Sequence, residues 1–352
     1  VTNNTVGNIA CNTLQPAAAF SCLGISIQNV QSPNSNISGN NIFGIRNINT
    51  GVTGSVSVGF QTQNNLAGGT FSKNKIYDLT SVSTGTGQIF GAYVTSASGW
   101  TFSNNMISLT NGETSLDQVD KLNAFNNNSG ENLQPTDFNQ LAMLYRPSSN
   151  YVYDRSKEES GVQEVYSQET IYANDPVTSK NIQNKDNVKG DTKEQKLSDN
   201  TESVNAVAIL GIVDPIANNP MNYYYNSVYI GGSQTGSALN SYCLARQNTS
   251  NATLRNNLFY NARTGSGFHY AIGSGSAPSF NSNYNAFVTA DSSYVGEWAT
   301  ANQNIDQWRT ASGGDVNSWY AKTTQVPAAQ LFTSLSTGNL VINTANAPAW
   351  LV

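Results

Sequence analysis

A short motif that returns at nearly constant spacing constrains the fold of this chain more than any other feature. Each copy contains an asparagine, one variable residue and an apolar residue, beginning with Asn4 and Val6. The asparagines of the seven copies are Asn4, Asn40, Asn74, Asn105, Asn226, Asn256 and Asn285. The steps between them are 36, 34, 31, 121, 30 and 29 residues. A period of this length is typical of a solenoid of stacked repeats rather than a single globular core.

A second motif lies between the asparagine copies and places a glycine between two apolar residues. Its glycines are Gly24, Gly59, Gly91 and Gly211, with looser copies at Leu244-Ala245 and Ala271-Ile272. Each repeat therefore contains at least two short strands, separated by loops rich in Ser, Thr, Gly and Asn, with no helical periodicity between them. The pattern predicts an all-β fold, a parallel β-helix of about 30–36 residues per coil with coils about 4.8 Å apart.

The recurrent asparagines have a structural interpretation that we favour over ligand binding. Identical amides in stacked coils form hydrogen-bonded ladders, and asparagine also tolerates the left-handed backbone needed at bends. The apolar residue two positions later points to the same side as the asparagine. The aromatic residues at equivalent places, Phe71, Phe102 and Tyr223, are interpreted as a stacked core rather than a sugar platform.

One step in the series is far too long, which predicts an insertion. The stretch from Glu113 to Glu202 holds 16 of the 22 acidic residues and 9 of the 17 basic ones. We assign residues 1–113 and 204–290 to coils and 114–203 to an insertion in a lateral loop. Within it, Asp137–Arg146 has helical spacing. The insertion is either a decorated loop or a module that contacts a partner, and both readings stay open.

The repeat fades after about residue 290. Asn302–Ala311 reads as a short amphipathic helix with Ile305 and Trp308 on one face, and Leu340–Asn343 reads as a final strand. Residues 291–352 are therefore expected to form a capping segment, because an open end of a β-helix exposes unpaired backbone groups.

Composition excludes some partners. Charged residues make up only 11% of the chain, and a formal net charge of −5 argues against a nucleic-acid partner. No apolar run approaches the roughly 18–20 residues of a membrane-spanning helix. The chain begins at Val1 without a signal peptide, so we expect a mature protein or a fragment of a longer one.

The three cysteines and the single histidine carry little functional signal. Cys11 and Cys22 either form a disulfide or are two small buried side chains, and we favour the second reading. Cys243 is expected in the core, since no motif links it to His269. A lone histidine in a strand is more often structural than catalytic.

Four strings in the chain resemble a known family: FSNNMISL, NYYYNSVYIGG, ATLRNNLFYNARTG and DQWRTASGGDVNSWYA. They are similar to the Asn-rich, right-handed parallel β-helix modules of large secreted or surface proteins of Bacteroidota, which carry a type IX secretion signal. The resemblance covers Val1–Gly112 and about Val204–Val352, but not the insertion. It implies a right-handed β-helix and an extracellular or cell-surface location, and it supplies no catalytic residues.

The residues themselves offer no catalytic constellation. Outside the insertion the acidic residues are Asp78, Asp214, Asp291, Glu297, Asp306 and Asp315. Asp78 and Asp214 fall in different strands of different coils, so they do not form the carboxylate pair of a glycosidase or the calcium cluster of a pectate lyase. We expect no enzyme and no cofactor, with a surface Ca²⁺ site at Glu158 and Glu159 as a minor hypothesis.

Two function classes follow from these observations. The leading one is an extracellular, non-catalytic structural or adhesive protein whose insertion contacts a protein partner or other copies of the chain, with filament formation as a variant. The alternative is a polysaccharide-binding or pectate-lyase-like protein that stacks sugars on Trp100, Tyr223–Tyr225 and Tyr229.

Overall fold

The computed structural model of the chain consists mainly of parallel β-strands arranged in three long sheets. It describes residues 1–11, 22–28, 35–47, 53–65, 68–81, 86–96, 99–111, 207–215, 220–234, 238–246, 248–275, 280–349 and 351. The chain divides into two units, Val1–Leu116 with Asn200–Val352 and Asp117–Asp199, and the second lies outside the described residues. The predicted helix at Asp137–Arg146 and the residues Glu158 and Glu159 lie there too.

The strands are numbered in chain order and fall into three sheets. Sheet 1 contains Thr5–Cys11 (β1), Asn41–Asn47 (β4), Lys75–Ser81 (β7), Met106–Leu109 (β10), Ser227–Ile230 (β13), Leu258–Asn261 (β17), Ala286–Thr289 (β21) and Trp319–Lys322 (β24). Sheet 2 contains Cys22–Gln28 (β2), Thr53–Asn65 (β5), Thr86–Ser96 (β8), Val207–Asp214 (β11), Ser241–Arg246 (β15), His269–Ser274 (β19), Gly296–Trp298 (β22) and Ala301–Gln303 (β23). Sheet 3 contains Ser35–Ser38 (β3), Gly69–Ser72 (β6), Trp100–Ser103 (β9), Met221–Tyr224 (β12), Ala252–Arg255 (β16) and Phe280–Asn283 (β20).

The chain passes through the sheets in a fixed order, from sheet 1 to sheet 2 to sheet 3. Each strand pairs in parallel with its equivalent in the next coil, as in the row that aligns Ile42 with Ile76 and Ile76 with Ile107. Strands β22 and β23 are the antiparallel exception in sheet 2. The predicted parallel β-helix is confirmed. Two short strands, Ser233–Gln234 (β14) and Thr264–Gly265 (β18), extend the pairing between coils.

The strands on either side of residues 112–206 continue the pairing of the solenoid. Strand β10, which precedes it, pairs with β7 on one side and with β13 on the other. Strand β11, which follows it, pairs with β8 and β15. Strands β10 and β11, on either side of residues 112–206, therefore occupy consecutive positions of one coil.

The interior is a continuous apolar stack. Side chains alternate along the strands of sheet 3, so that Phe71, Phe102 and Tyr223 are fully buried while their neighbours point outward. The ring centroids of Phe71 and Phe102 lie 5.2 Å apart, and those of Phe102 and Tyr223 lie 5.8 Å apart. These aromatic residues form a stacked core, as the sequence suggested.

The recurrent glycines lie where sheets 1 and 2 approach most closely. A Cβ on Gly91 would lie 2.6 Å from the Cγ2 atom of Ile107 in sheet 1 and 2.5 Å from the carbonyl oxygen of Gly211 in the next coil. Gly211 meets Val228 and the carbonyl of Cys243 in the same way. In the next coil the position equivalent to Gly211 is occupied by Cys243, which is fully buried. The looser copy of the glycine motif predicted at Leu244-Ala245 was therefore placed in the wrong register.

The C-terminal segment caps and then covers the solenoid. Helix α1 (Ile305–Ser312) begins with a capping box at Asn304 and ends at Gly313 in the left-handed conformation. It inserts Trp308, which is fully buried, against the rings of Phe280 and Phe287. The predicted amphipathic helix is thus present, although Ile305 is only partly buried.

Beyond α1, the chain packs on the outside of sheet 1. Helix α2 (Ala328–Leu331) leads into an antiparallel pair, Phe332–Ser334 (β25) and Asn339–Ile342 (β26), close to the predicted final strand. Phe332 contacts the rings of Tyr229 and Tyr260, and the hydroxyl of Ser108 donates to the carbonyl of Leu335 at 2.9 Å. This part of the segment covers a sheet face rather than the open end of the coils.

The favoured reading of the first two cysteines was wrong. Cys11 and Cys22 form a disulfide, with their Cα atoms 5.6 Å apart. They lie at the end of β1 and the start of β2, so the bond joins sheet 1 to sheet 2 in the first coil. Sequence alone did not distinguish this arrangement from two buried thiols.

The glycine row generates a stability prediction. Gly91→Ala is expected to destabilise the fold by about 1–3 kcal/mol, because backbone and a packed isoleucine leave no space for the methyl group. Gly313→Ala is the control, since nothing lies within 4 Å of its added Cβ and the left-handed backbone alone costs about 1 kcal/mol. Guanidinium unfolding of both variants measures the difference. An equal loss in the two would contradict close packing at Gly91.

Candidate functional site

The recurrent asparagines form a buried amide ladder along the solenoid. The Nδ2 group of each donates to the Oδ1 atom of the next at 2.8–3.2 Å. At Asn105 the backbone N–H also donates to Asn226 Oδ1, and Nδ2 makes a second bond to the carbonyl of Phe71. Asn105 Oδ1 in turn accepts from the backbone N–H and the Nδ2 group of Asn74. The amide is fully used, which gives these asparagines a structural role.

The ladder corrects one sequence assignment. Its members are Asn4, Asn40, Asn74, Asn105, Asn226, Asn257 and Asn285. Asn257 is buried in it, whereas Asn256 is exposed and has a left-handed backbone with φ of 57°. The apolar residue that aligns with Val228 is accordingly Phe259, not Leu258.

The residue before each ladder asparagine forms a second row, which we call the corner row. Its members join sheet 3 to sheet 1 and have φ between 55° and 68°: Asn3, Gly39, Lys73, Asn104, Tyr225, Asn256 and Tyr284. From Asn3 to Tyr225 the backbone N–H of each member donates to a carbonyl of the next coil, as from Tyr225 to Arg255 at 3.1 Å. The N–H of Tyr284 donates instead to Asn283 Oδ1 at 3.0 Å. Glycine and asparagine suit this conformation, but a bulky tyrosine is a genuine outlier there.

The ladder ends at the last coil, where other groups replace the missing amide. The Nδ2 group of Asn285 donates to Asp315 Oδ1 at 3.0 Å, and its backbone N–H donates to the hydroxyl of Ser318 at 2.9 Å. Trp308 Nε1 donates to the other oxygen of Asp315 at 2.8 Å. Asp315, to which the sequence assigned no role, is fully buried and closes the ladder.

The adjacent asparagines at 256 and 257 provide a direct test of this geometry. Asn257→Ala should destabilise the protein by roughly 3–5 kcal/mol, because it removes the acceptor of the buried Asn226 donors and the Nδ2 donor to Asn285 Oδ1 and to the carbonyl of Tyr223. Asn256→Gly should change stability by less than about 0.5 kcal/mol, since glycine accepts the left-handed backbone. Chemical denaturation followed by fluorescence compares the two. A larger loss of stability in Asn256→Gly than in Asn257→Ala would contradict the assignment of Asn257 to the ladder.

The outer faces of the three sheets differ in their accessibility. In sheet 1, β17 and β21 are buried on both faces. In sheet 2, the residues Val58, Phe90, Leu210 and Val213 form a buried apolar cluster separate from the main core. The outward side chains of sheet 3 are instead exposed or half-buried in every strand.

The outer face of sheet 3 is polar. One of its two rows contains Asn36, Thr70, Thr101, Asn222, Thr253 and Asn281. The other contains Ser38, Ser72, Ser103, Tyr224, Arg255 and Asn283. Among these described residues Arg255 is the one charged side chain. The face presents hydroxyl and amide groups at the spacing of the coils, about 4.8 Å.

Two exposed tyrosines lie at the edge of this face. Tyr225 is 59% exposed and Tyr284 is 56% exposed, in coils on either side of the one that carries Asn256. The guanidinium of Arg255 lies 5.7 Å from the ring centre of Tyr284, and its Nη2 atom donates to Asn281 Oδ1 at 2.6 Å. Tyr225, Arg255 and Tyr284 with the sheet 3 face constitute the candidate binding surface.

The aromatic platform expected from the sequence is only partly correct. Trp100 and Tyr223 are inside the coil, and Tyr229 is covered by Phe332, so these three do not face solvent. Tyr224 is half-buried on the outer face of sheet 3, and Tyr225 is exposed. Tyr284 was missed, although the pair Tyr284-Asn285 repeats the pair Tyr225-Asn226 and thus marks the same corner position.

The two carboxylates tested for catalysis are held in separate buried ion pairs. Asp78 accepts from Arg46 in sheet 1, and Asp214 accepts from Arg246 Nε at 3.4 Å in sheet 2. Burial raises the pKa of each of these aspartates, and the neighbouring arginine acts in the opposite direction. The two groups therefore stabilise different sheets and do not share a site.

A cleft of about 280 Å³ on sheet 2 is a second candidate ligand site. Its polar lining includes Tyr242, Arg246, Ser274 and Glu297. Tyr242 donates to Glu297 Oε2 at 2.5 Å, and burial and this hydrogen bond both raise the pKa of the tyrosine. Because the polar groups already engage each other or Asp214, the cleft offers fewer unused groups than the sheet 3 face.

His269 is buried beside Ser241, with 3.0 Å between its Nδ1 atom and the serine hydroxyl. Burial, assisted by the charge of Arg263, lowers the pKa of His269 from 6.5 to about 4. The histidine is therefore neutral in the folded protein at neutral pH, which fits a structural role.

This pKa predicts a pH dependence of stability. The unfolded histidine takes up a proton below pH 6.5 while the folded one does not until about pH 4. The contribution of the neutral His269 to the free energy of unfolding is therefore present above pH 6.5 and is lost as the pH falls towards 4. Between pH 7 and pH 5 the protein should lose about 2 kcal/mol that His269→Gln does not lose. Denaturation of both proteins at the two pH values measures the difference, and identical losses would refute the assignment.

Comparisons with known proteins add no functional assignment: no protein-family model, curated protein or solved structure matches the chain. In the described part of the chain, no group of three or more histidine, cysteine, aspartate or glutamate side chains is arranged to hold a metal ion. No helix among the described residues has the length and apolar character needed to cross a bilayer.

Proposed function

We propose that this protein is an extracellular, non-catalytic structural and adhesive module that makes contact through the outer face of sheet 3 and its corner row. The observation that carries the proposal is the pair of exposed tyrosines, Tyr225 and Tyr284. Both occupy left-handed positions that other coils fill with asparagine, glycine or lysine. A bulky residue in this conformation costs about 1 kcal/mol or more, and such strain is concentrated at functional positions.

The rest of the solenoid supports a scaffold role. The ladder and the apolar stack fix neighbouring coils, so side chains on the outer face are held at regular distances. Aromatic and arginine side chains on a rigid surface are the residue types that dominate binding. The resemblance to secreted β-helix modules of Bacteroidota favours a cell-surface location. A partner or self contact through residues 114–203 stays a prediction, since those residues lie outside the described part of the chain.

Adhesion of coated microspheres under flow tests the proposal. Beads carrying the full chain are passed over surfaces coated with polysaccharide, with serum protein or with the same chain, and over bare glass. We expect several-fold greater retention on at least one coated surface. The double variant Tyr225→Asn/Tyr284→Asn should lose this retention while being as stable as the wild type or more so, because asparagine suits the corner row.

Val341→Asn is the matched control, because Val341 is 50% exposed on β26, away from sheet 3. It should be retained like the wild type. Equal retention of wild-type and double-variant beads on every surface would exclude this face as the contact site.

A further inference from the structure

We infer that the candidate binding surface recognises an acidic polysaccharide, a chain of pyranose sugars that bear carboxylates, lying along the solenoid axis. This inference rests on the proposed adhesive function and specifies its ligand. Three observations support it: the spacing of the tyrosines, the hydrogen-bonding groups beside them and the charge of the surface.

The tyrosines are spaced for an extended sugar chain. Tyr225 and Tyr284 are two coils apart, which places their backbones about 10 Å from each other along the axis. This is about the length of two pyranose rings in an extended chain. An exposed tyrosine offers an apolar ring for stacking and a hydroxyl for hydrogen bonding. Two sugars of a chain parallel to the axis, separated by one further sugar, would thus each meet a tyrosine ring.

The groups beside the tyrosines suit sugar hydroxyls. Tyr224 donates through its hydroxyl to Asn222 Oδ1 at 3.2 Å, and Asn222 Nδ2 lies 3.4 Å from Thr101 Oγ1. These side chains are held by hydrogen bonds to one another, so little conformational entropy is lost on binding. A protein interface usually has an apolar, fully buried centre, which this polar face does not provide among its described residues.

The charge of the surface selects for an anion. No aspartate or glutamate occurs in the described strands of sheet 3 or in the corner row, whereas Arg255 and Lys73 do. Among the described residues, the side chain that hydrogen-bonds the Arg255 guanidinium is the neutral amide of Asn281, and the guanidinium lies beside Tyr284. Arginine pairs with a carboxylate through two parallel hydrogen bonds. A uronate at this coil would meet Arg255 while its neighbour stacks on Tyr284.

Affinity electrophoresis of the full chain in gels that contain dissolved polysaccharide tests the ligand class. Polygalacturonate and alginate are the acidic polymers, and hydroxyethyl cellulose is the neutral one. We expect both acidic polymers to retard the wild type at least tenfold more effectively than the neutral one, with weaker retardation at high salt. Arg255→Gln should weaken binding to the acidic polymers about tenfold and weaken binding to the neutral one much less. Tyr225→Asn/Tyr284→Asn should weaken binding to all of them.

The outcomes separate this inference from the proposed function. Lack of retardation by any polymer, with Tyr-dependent adhesion of beads to a protein-coated surface, would overturn the polysaccharide and leave the adhesive function standing. Equal retardation by neutral and acidic polymers, unaffected by Arg255→Gln, would overturn the acidic class. Retardation that survives the double tyrosine substitution would overturn the site. Val341→Asn, retarded like the wild type, controls for the general effect of a surface substitution.

Discussion

The hydrogen bonds between buried asparagine amides are the constraint on which the remainder of this structure depends. Each internal amide donates to the next coil and to a carbonyl of the previous one, and its oxygen accepts two N–H groups, as Asn105 shows. Buried amides are costly unless every group is paired, so a coil that shifted along the axis or rotated would lose several bonds together. The ladder thereby fixes the register of all three sheets. It also explains the buried Asp315, whose carboxylate supplies the acceptor that a further asparagine would have provided.

Because the ladder fixes the register of the strands, it also determines which side chains fit at each place in the interior. Sheets 1 and 2 approach so closely behind the ladder that Gly91 and Gly211 have no room for a methyl group, while the wider space next to sheet 3 holds a column of aromatic rings. The residues that differ most in type between the sheets are therefore those on the outer faces. In the later coils the outside of sheet 1 is covered by the C-terminal segment around Phe332, and the outside of sheet 2 carries a buried apolar cluster that includes Phe90. Sheet 3 keeps an accessible polar face, which makes it the part of the scaffold available for contact.

The repeat and the strands could be predicted from the sequence because identical coils require identical residues at fixed intervals. The assignment of Asn256 was wrong for a physical reason: the ladder and the corner row both favour asparagine, and in this coil both positions contain one. Hydrogen bonds decide between them, and sequence does not show hydrogen bonds. Trp100 and Tyr223 were placed ambiguously because aromatic residues suit both a stacked core and a surface platform. Once Asn226 and Asn285 are known to lie in the ladder, the residue before each must lie at the corner, so Tyr225 and Tyr284 become predictable.

The same amides that stabilise the interior also make the candidate surface feasible. A tyrosine in a left-handed conformation would normally relax to another backbone geometry, and it persists only where the surrounding structure over-determines the chain. At Tyr225 the backbone N–H is bonded to Arg255 of the next coil, and the following residue is locked into the ladder through both its backbone and its side chain. The corner therefore tolerates side chains that local propensity disfavours, and it holds them at the spacing of the coils. The rigid core and the exposed corner side chains therefore have the same origin, because both depend on the position of a single asparagine in each coil.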